Sequence, residues 1–230
     1  MLEALRAEVY EANLELVRRG LVIYTFGNAS GVSREHGLIA IKPSGVPYEK
    51  MTPADMVITD LEGRIVEGSL RPSSDLATHA ALYRAFPSIG GVVHTHSRHA
   101  TAWAQACRAI PCFGTTHADY FHGPVPVTTE LAPEEIESEY EANTGTAIIR
   151  LMLGRDPLGC PAALVAGHAP FCWGETVTEA AHIAVIVEEL AAMAWQTLTI
   201  NPAARPISES LHNKHYFRKH GEKAYYGQPK

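Results

Sequence analysis

His94 and His96 close the run Gly91-Val92-Val93-His94-Thr95-His96, and side chains two apart on an extended strand share a face. Two neutral imidazoles held side by side supply half of a tetrahedral zinc site. The same pattern also suits a hydrogen-bonded or surface histidine pair, so its meaning depends on the company it keeps. His168, in Ala166-Gly167-His168-Ala169-Pro170, follows a buried run in a Gly/Pro loop. Such a loop end can present a further ligand or simply pack a histidine.

Three further segments are polar where a plain core would be apolar. Phe26-Gly27-Asn28-Ala29-Ser30 and Lys42-Pro43-Ser44-Gly45 offer free backbone N–H groups, hydroxyls and one lysine, which suit a phosphate oxyanion. Turns need the same residue types. Arg71-Pro72-Ser73-Ser74-Asp75 combines hydroxyls with an expected helix N-terminus, an anion-attracting place, though Ser-Ser-Asp is also plain capping chemistry. His79 shares a helix face with Asp75 and suits a supporting role better than a ligand's.

The elements that position these groups fit one domain. The chain has 230 residues, 46% hydrophobic and 19% charged, enough for a single large core. No stretch reaches the ~20 apolar residues of a membrane helix, since Ala180 to Trp195 contains Glu188 and Glu189. The N-terminus, from Met1 to Arg6, lacks a signal peptide's apolar core, so a soluble cytoplasmic protein is expected. Cys107, Cys112, Cys160 and Cys172 show no paired spacing and read as reduced, mostly buried thiols. A net charge of -6, with one short basic stretch from Lys214 to Lys223, argues against nucleic acid and leaves room for an anionic small molecule.

Leu2, Leu5, Val9, Ala12 and Leu16 predict a first helix ended at Gly20. Leu21 to Thr25, Gly37 to Lys42, Met56 to Thr59 and Arg64 to Glu67 read as strands, the last two as a hairpin. A helix capped at Ser74-Asp75 runs through Ala85, and a second covers about Arg98 to Cys107. Pro133 opens a helical region to about Leu153 with an interruption at Thr144-Gly145; Ala162 to Ala166 is a buried strand; Val177 to Leu198 and Glu209 to Lys219 are helices. This mixture predicts an α/β fold, layers of helices around a mainly antiparallel sheet.

Taken together, the chain resembles the class II aldolase family, and within it the L-ribulose-5-phosphate 4-epimerases. The likeness runs nearly end to end. It rests on Lys42-Pro43-Ser44-Gly45-Val46, Arg71 to Asp75, His94-Thr95-His96-Ser97-Arg98-His99-Ala100-Thr101, Gly114-Thr115-Thr116-His117-Ala118-Asp119-Tyr120-Phe121, and the tail motifs Lys214-His215-Tyr216, Arg218 to Gly221 and Ala224 to Gln228. Two departures stand out: Phe26 where the epimerases tend to carry tryptophan, and Ala169 where glycine is usual.

The resemblance implies a single-domain α/β/α sandwich over residues 1–230, a cyclic homotetramer, and a tail from about residue 207 that serves a neighbouring subunit's site. It implies zinc held by Asp75, His94, His96 and His168, a set that manganese or cobalt also fits. The family's aldolases use glutamate in the region of Asp75, and aspartate leans toward the epimerases. The implied reaction inverts carbon 4 of L-ribulose 5-phosphate. That carbon is not adjacent to the ketone, so its proton is not acidic and the C3–C4 bond must break and re-form. Asp119 and Tyr226 resemble the proton-transfer pair on opposite faces. Gly27, Asn28, Ser44, Gly45, Ser73 and Ser74, with Lys42, resemble the phosphate cradle, and His215 a group that positions substrate or tail. A sugar-phosphate aldolase and a non-catalytic domain like the adducin head are the alternatives within the same fold.

Overall fold

The computed structural model describes residues 2–221 and 224–226; Met1, Lys223, Gly227 and Gln228 of the segments named above lie outside the described residues. Among the described residues seven strands form one sheet: β1 (Asn28–Ser33), β2 (Leu38–Ile41), β3 (Val57–Asp60), β4 (Ile65–Glu67), β5 (Gly91–His94), β6 (Ala162–Leu164) and β7 (Pro170–Gly174). Their order is β4-β3-β2-β1-β5-β7-β6, and every neighbouring pair is antiparallel. The helices are α1 (Glu3–Arg18), α2 (Leu76–Ala85), α3 (Arg98–Gln105), α4 (Thr115–Ala118), α5 (Pro133–Glu137), α6 (Tyr140–Leu151), α7 (Val177–Ile200) and α8 (Glu209–Lys219).

The two faces of the sheet read off β1. Ser30 Oγ meets His79 Nδ1 at 2.7 Å and the Tyr83 hydroxyl at 2.8 Å, so this face carries α2, with α6 packed on it. Gly31 points the other way, where a Cβ would meet Leu5, Val9 and Val177. In register with it lie Gly91 and Gly174. A Cβ on Gly91 would stand 2.3 Å from the Val177 Cα, and one on Gly174 2.8 Å from Glu179. This row of three glycines is the seat on which the first turn of α7 rests, a use of glycine for close approach. α1, α3 and α7 cover this side, giving helix, sheet and helix layers around one core.

By length and composition α7 could cross a membrane. It is instead the central core helix, packed against β5, β7, α1 and α3, and its Glu188 is spent on hydrogen bonds to α3. Cys112, Cys160 and Cys172 are buried and Cys107 exposed, all as free thiols.

Four expectations need correction. Leu21 to Thr25 is not a strand; it forms a turn in which Tyr24 takes φ 53°, and the strand begins at Asn28. Pro170, expected in the Gly/Pro loop around His168, instead opens strand β7. The region from Pro133 breaks around Ser138, between α5 and α6, rather than at Thr144-Gly145. Asp75 stands at the start of α2 without capping it: its side chain makes no cap bond.

Candidate active site

The register of the sheet creates the first half of the site. Asn28 on β1, His94 on β5 and Phe171 on β7 lie in one cross-strand row. His94 is the last residue of its strand, its ring stacked on Phe171 at 4.1 Å, and its Nδ1–H donates to the Pro170 carbonyl at 3.0 Å. That bond leaves the Nε2 lone pair free for a metal. His96 lies two residues beyond the strand end, with its ring still beside His94. His168 comes from the β6–β7 turn, where Gly167 takes φ +70° and Ala169 does not need a positive φ. The Tyr140 hydroxyl meets His168 Nδ1 at 3.3 Å.

The ring centroids are 4.9 Å apart for His94–His96, 4.9 Å for His94–His168 and 5.0 Å for His96–His168. One nitrogen from each ring falls within 4.8 Å of the others, a spacing that could hold a metal ion. Burial holds His94, His96 and His168 below the ordinary imidazole range, His168 at about 4 with help from its two neighbours. All three are therefore neutral at physiological pH, the form a metal needs. The donor set fits a divalent cation such as zinc.

Asp75 lines the same cavity but lies outside that three-nitrogen cluster. It accepts a 2.6 Å hydrogen bond from Asn28 Nδ2. Burial opposes its ionisation, the Asn28 hydrogen bond favours it, and the carboxyl stays below the usual carboxylate range.

The cavity, about 380 Å³, also gathers Gly27, Asn28, Lys42, Ser44, Gly45, Ser73 and Ser74. The loops after β2 and before α2 are tied by a bridge between Pro43 and Pro72, with Ser44 N–H donating to Arg71 O and Ser73 N–H to Lys42 O, each at 2.9 Å. Gly27 has φ +81°, and a Cβ there would press on Val22 at 2.8 Å and the His94 carbonyl at 3.1 Å. The Tyr48 hydroxyl donates to its carbonyl at 2.8 Å. Lys42 is 2% exposed. Among the described residues its ammonium has only the Pro43 carbonyl at 3.3 Å and the Tyr48 ring at 4.7 Å, and burial lowers its pKa to about 8. A buried cation that faces a polar cavity and has no carboxylate partner among the described residues suits an incoming anion.

Asp119 and Tyr226 form a second cluster, which does not line this cavity. Asp119, at the end of α4, accepts from Arg218 Nη2 at 2.7 Å, Arg218 Nε at 3.1 Å and His215 Nδ1 at 3.0 Å, with Lys219 at 3.5 Å. The Arg218 and Lys219 cations lie 4.8 Å and 4.6 Å from the Tyr226 ring centre, and Tyr226 N–H donates to Arg218 O at 3.0 Å. Within one chain the two predicted proton carriers thus stand together, apart from the histidines. Sequence reasoning missed Tyr140, Phe171 and Tyr48 as supports, since a lone aromatic carries no motif.

Residues 7–195 match the family described as Class II Aldolase and Adducin N-terminal domain. The chain is 56% identical over 227 residues to an L-ribulose-5-phosphate 4-epimerase UlaF of Salmonella paratyphi C (strain RKS4594), covering 99% of this chain and 100% of the relative. The corresponding protein of Salmonella typhi is 55% identical over the same length. Among solved structures, an L-fuculose 1-phosphate aldolase superposes with TM-score 0.80 at 25% identity, covering 94% of this chain and 95% of that one. This chain is a member of the class II aldolase family.

Proposed function

We propose that the protein is a zinc-dependent L-ribulose-5-phosphate 4-epimerase that forms D-xylulose 5-phosphate by breaking and re-forming the C3–C4 bond, as a cytoplasmic homotetramer. The observation that carries this reading is the opening of the His94–His96–His168 cluster into the cavity that holds Lys42 and the seryl loops. It unites a seat for a Lewis acid with a seat for a phosphate. The full-length relatives named as epimerases support the substrate.

Asp75 joins the three histidines as the fourth ligand, oriented by Asn28. When bound, zinc polarises the C2 carbonyl and C3 hydroxyl and stabilises the negative charge that develops on cleavage. Ser44, Gly45, Ser73, Ser74, Gly27 and Asn28 hold the phosphate, with Lys42 supplying charge, so the glycolaldehyde phosphate half stays bound while its aldehyde turns over. Recombination then remains effectively intramolecular. Asp119 and Tyr226 of a neighbouring subunit handle the C4 oxygen's proton on opposite faces. Asp119, ionised beside Arg218, is fitted to accept it, and His215 fixes Asp119 in place.

The test is incubation of zinc-loaded protein with L-ribulose 5-phosphate, following D-xylulose 5-phosphate and glycolaldehyde phosphate separately beside a chelator-treated control. Metal-dependent xylulose 5-phosphate with little free aldehyde is expected. Accumulating aldehyde would favour an aldolase, the activity named for the structural relative.

A further inference from the structure

His96 is the least supported member of the histidine cluster. His94 is held by strand pairing and by the Pro170 carbonyl, and His168 by its tight turn and the Tyr140 hydroxyl. His96 sits on irregular backbone between the end of β5 and the start of α3, and among the described residues no hydrogen bond reaches its ring. Among the described residues the neighbours of its ring are other rings, Phe26 at 6.0 Å besides His94 and His168, and its one covalent tether toward the core on the far side is the backbone that follows.

That backbone is the N-terminus of α3, whose first N–H groups have no partner within the helix. Ser97 occupies the N-cap position and is a residue type suited to capping, yet its side chain makes no cap bond. The acceptor is instead Glu188, near the middle of α7. Its carboxylate receives His99 N–H at 2.9 and 3.1 Å, Ala100 N–H at 2.9 Å and His99 Nδ1–H at 2.8 Å. Burial alone would raise this carboxyl; the Ala100 and His99 N–H bonds outweigh that and hold it below the usual carboxylate range. A second tie runs between the same helices, from Trp103 Nε1–H to the Ala191 carbonyl at 3.0 Å.

A local serine cap would satisfy one of these N–H groups, but it would not tie the start of α3 to α7. A carboxylate delivered from α7 ties it to the helix that rests on the glycine row of β1, β5 and β7, of which β5 carries His94 and β7 follows the His168 turn. We propose that Glu188 is a positioning residue for the metal site: by clasping the start of α3 it fixes His96 against His94 and His168. The inference rests on the reading of those histidines as a metal centre.

The test is titration of metal-free protein with zinc against a competing chelator, together with the visible absorption of the cobalt-loaded protein. The variants are Glu188→Ala, Glu188→Gln, His96→Ala and the double variant His96→Ala/Glu188→Ala. Outer partners of metal ligands typically contribute about 10- to 100-fold in affinity, and Glu188→Ala should weaken zinc binding by that order. Glu188→Gln should keep nearly wild-type affinity: its amide oxygen can accept the backbone N–H groups, and its NH2 can donate to His99 once that ring changes tautomer. In the His96→Ala background, removing Glu188 should cost nothing further, because the coupling is to His96 alone. A general loosening of the fold would weaken both backgrounds equally, and that result would overturn the proposal, as would unchanged affinity in Glu188→Ala. If Glu188→Ala fails to fold, Glu188→Asp, which keeps the acceptors but retracts them, decides: weakened zinc binding upholds the clasp and unchanged binding overturns it. Absence of zinc binding in the wild type would overturn the metal centre and this inference together, whereas tight, His96-dependent binding indifferent to Glu188 would overturn the clasp alone.

Discussion

His94 Nδ1 donates to the carbonyl oxygen of Pro170 across 3.0 Å, so the first residue of β7 sets the tautomer of the last residue of β5. Proline at this position has no N–H to offer the ladder, but its carbonyl is free for the imidazole. His168, its ring centre 4.9 Å from that of His94, meets the Tyr140 hydroxyl through its own Nδ1 at 3.3 Å. Tyr140→Phe is expected to weaken zinc binding about 10-fold while leaving the fold intact. His94→Ala should abolish binding. Competitive chelator titration separates the two, and equal affinity in Tyr140→Phe and wild type would reduce Tyr140 to a wall of the cavity.

Lys42 yields a prediction of opposite sign for stability and for binding. Its folded pKa of about 8 lies below the ordinary 10.5. The folded protein therefore carries a penalty for the buried charge that is constant below about pH 8 and relieved as pH rises toward about 10.5, where the unfolded chain binds more protons. Lys42→Met should raise the melting temperature at neutral pH and flatten the pH dependence over that window. The same change should raise KM for the phosphosugar by about 10- to 100-fold, the size of a lost charged hydrogen bond. In the wild type KM should climb above about pH 8 as the ammonium loses its proton. A destabilised variant would refute the buried-charge penalty, and a normal KM would refute the cradle role.

Much of this site was legible in the sequence because its residues sit in short contiguous motifs: the histidines at 94, 96 and 168 and the loops at 42–45 and 73–75 meet in one cavity. The failures have physical causes. Leu21 to Thr25 has the β-branched and aromatic composition of a strand, whereas β1, Asn-Ala-Ser-Gly-Val-Ser, does not. β1 is a central strand on which helices press from both sides, so small residues are selected by close approach rather than by propensity. Gly145 looked like a helix break for the same reason. It lies inside α6, where a Cβ would stand 2.8 Å from the Ala81 Cβ of α2, and its task is to let two helices meet. The second cluster was legible only as separate residues, since Asp119 and His215 are 96 positions apart.

Asp119 is held ionised. Burial raises its carboxyl, and the Arg218, His215 and Lys219 groups outweigh that and keep it below the usual range. A depressed carboxyl contributes stability above its unfolded pKa and loses it as pH falls through the folded value. Asp119→Asn should therefore lower stability at neutral pH, with the difference from wild type shrinking in acid below about pH 4. Zinc content should be unchanged and kcat reduced by about 10²- to 10⁴-fold, the usual contribution of a positioned proton carrier. Urea unfolding at several pH values and metal analysis read the two effects independently. A stability loss with normal kcat would make Asp119 a structural anchor for α8 only.

The separation of the two clusters within one chain yields the most direct test of a shared site. If Asp119 and Tyr226 serve the histidines of a neighbouring subunit, a His94→Ala chain still carries an intact proton-transfer half and an Asp119→Asn chain an intact metal half. Each variant alone forms no complete site. In a ring of identical head-to-tail contacts, random mixing of equal amounts after dissociation and reassembly pairs a good metal half with a good proton-transfer half at about a quarter of the sites. Activity should return to about that fraction of the wild-type level, with zinc on about half of the chains. Were both halves supplied by the same chain, every chain in the mixture would carry one defect and no activity would return. Recovery on mixing therefore distinguishes the two arrangements without any structure of the assembly, and a mixture that reassembles yet stays inactive would refute the shared site.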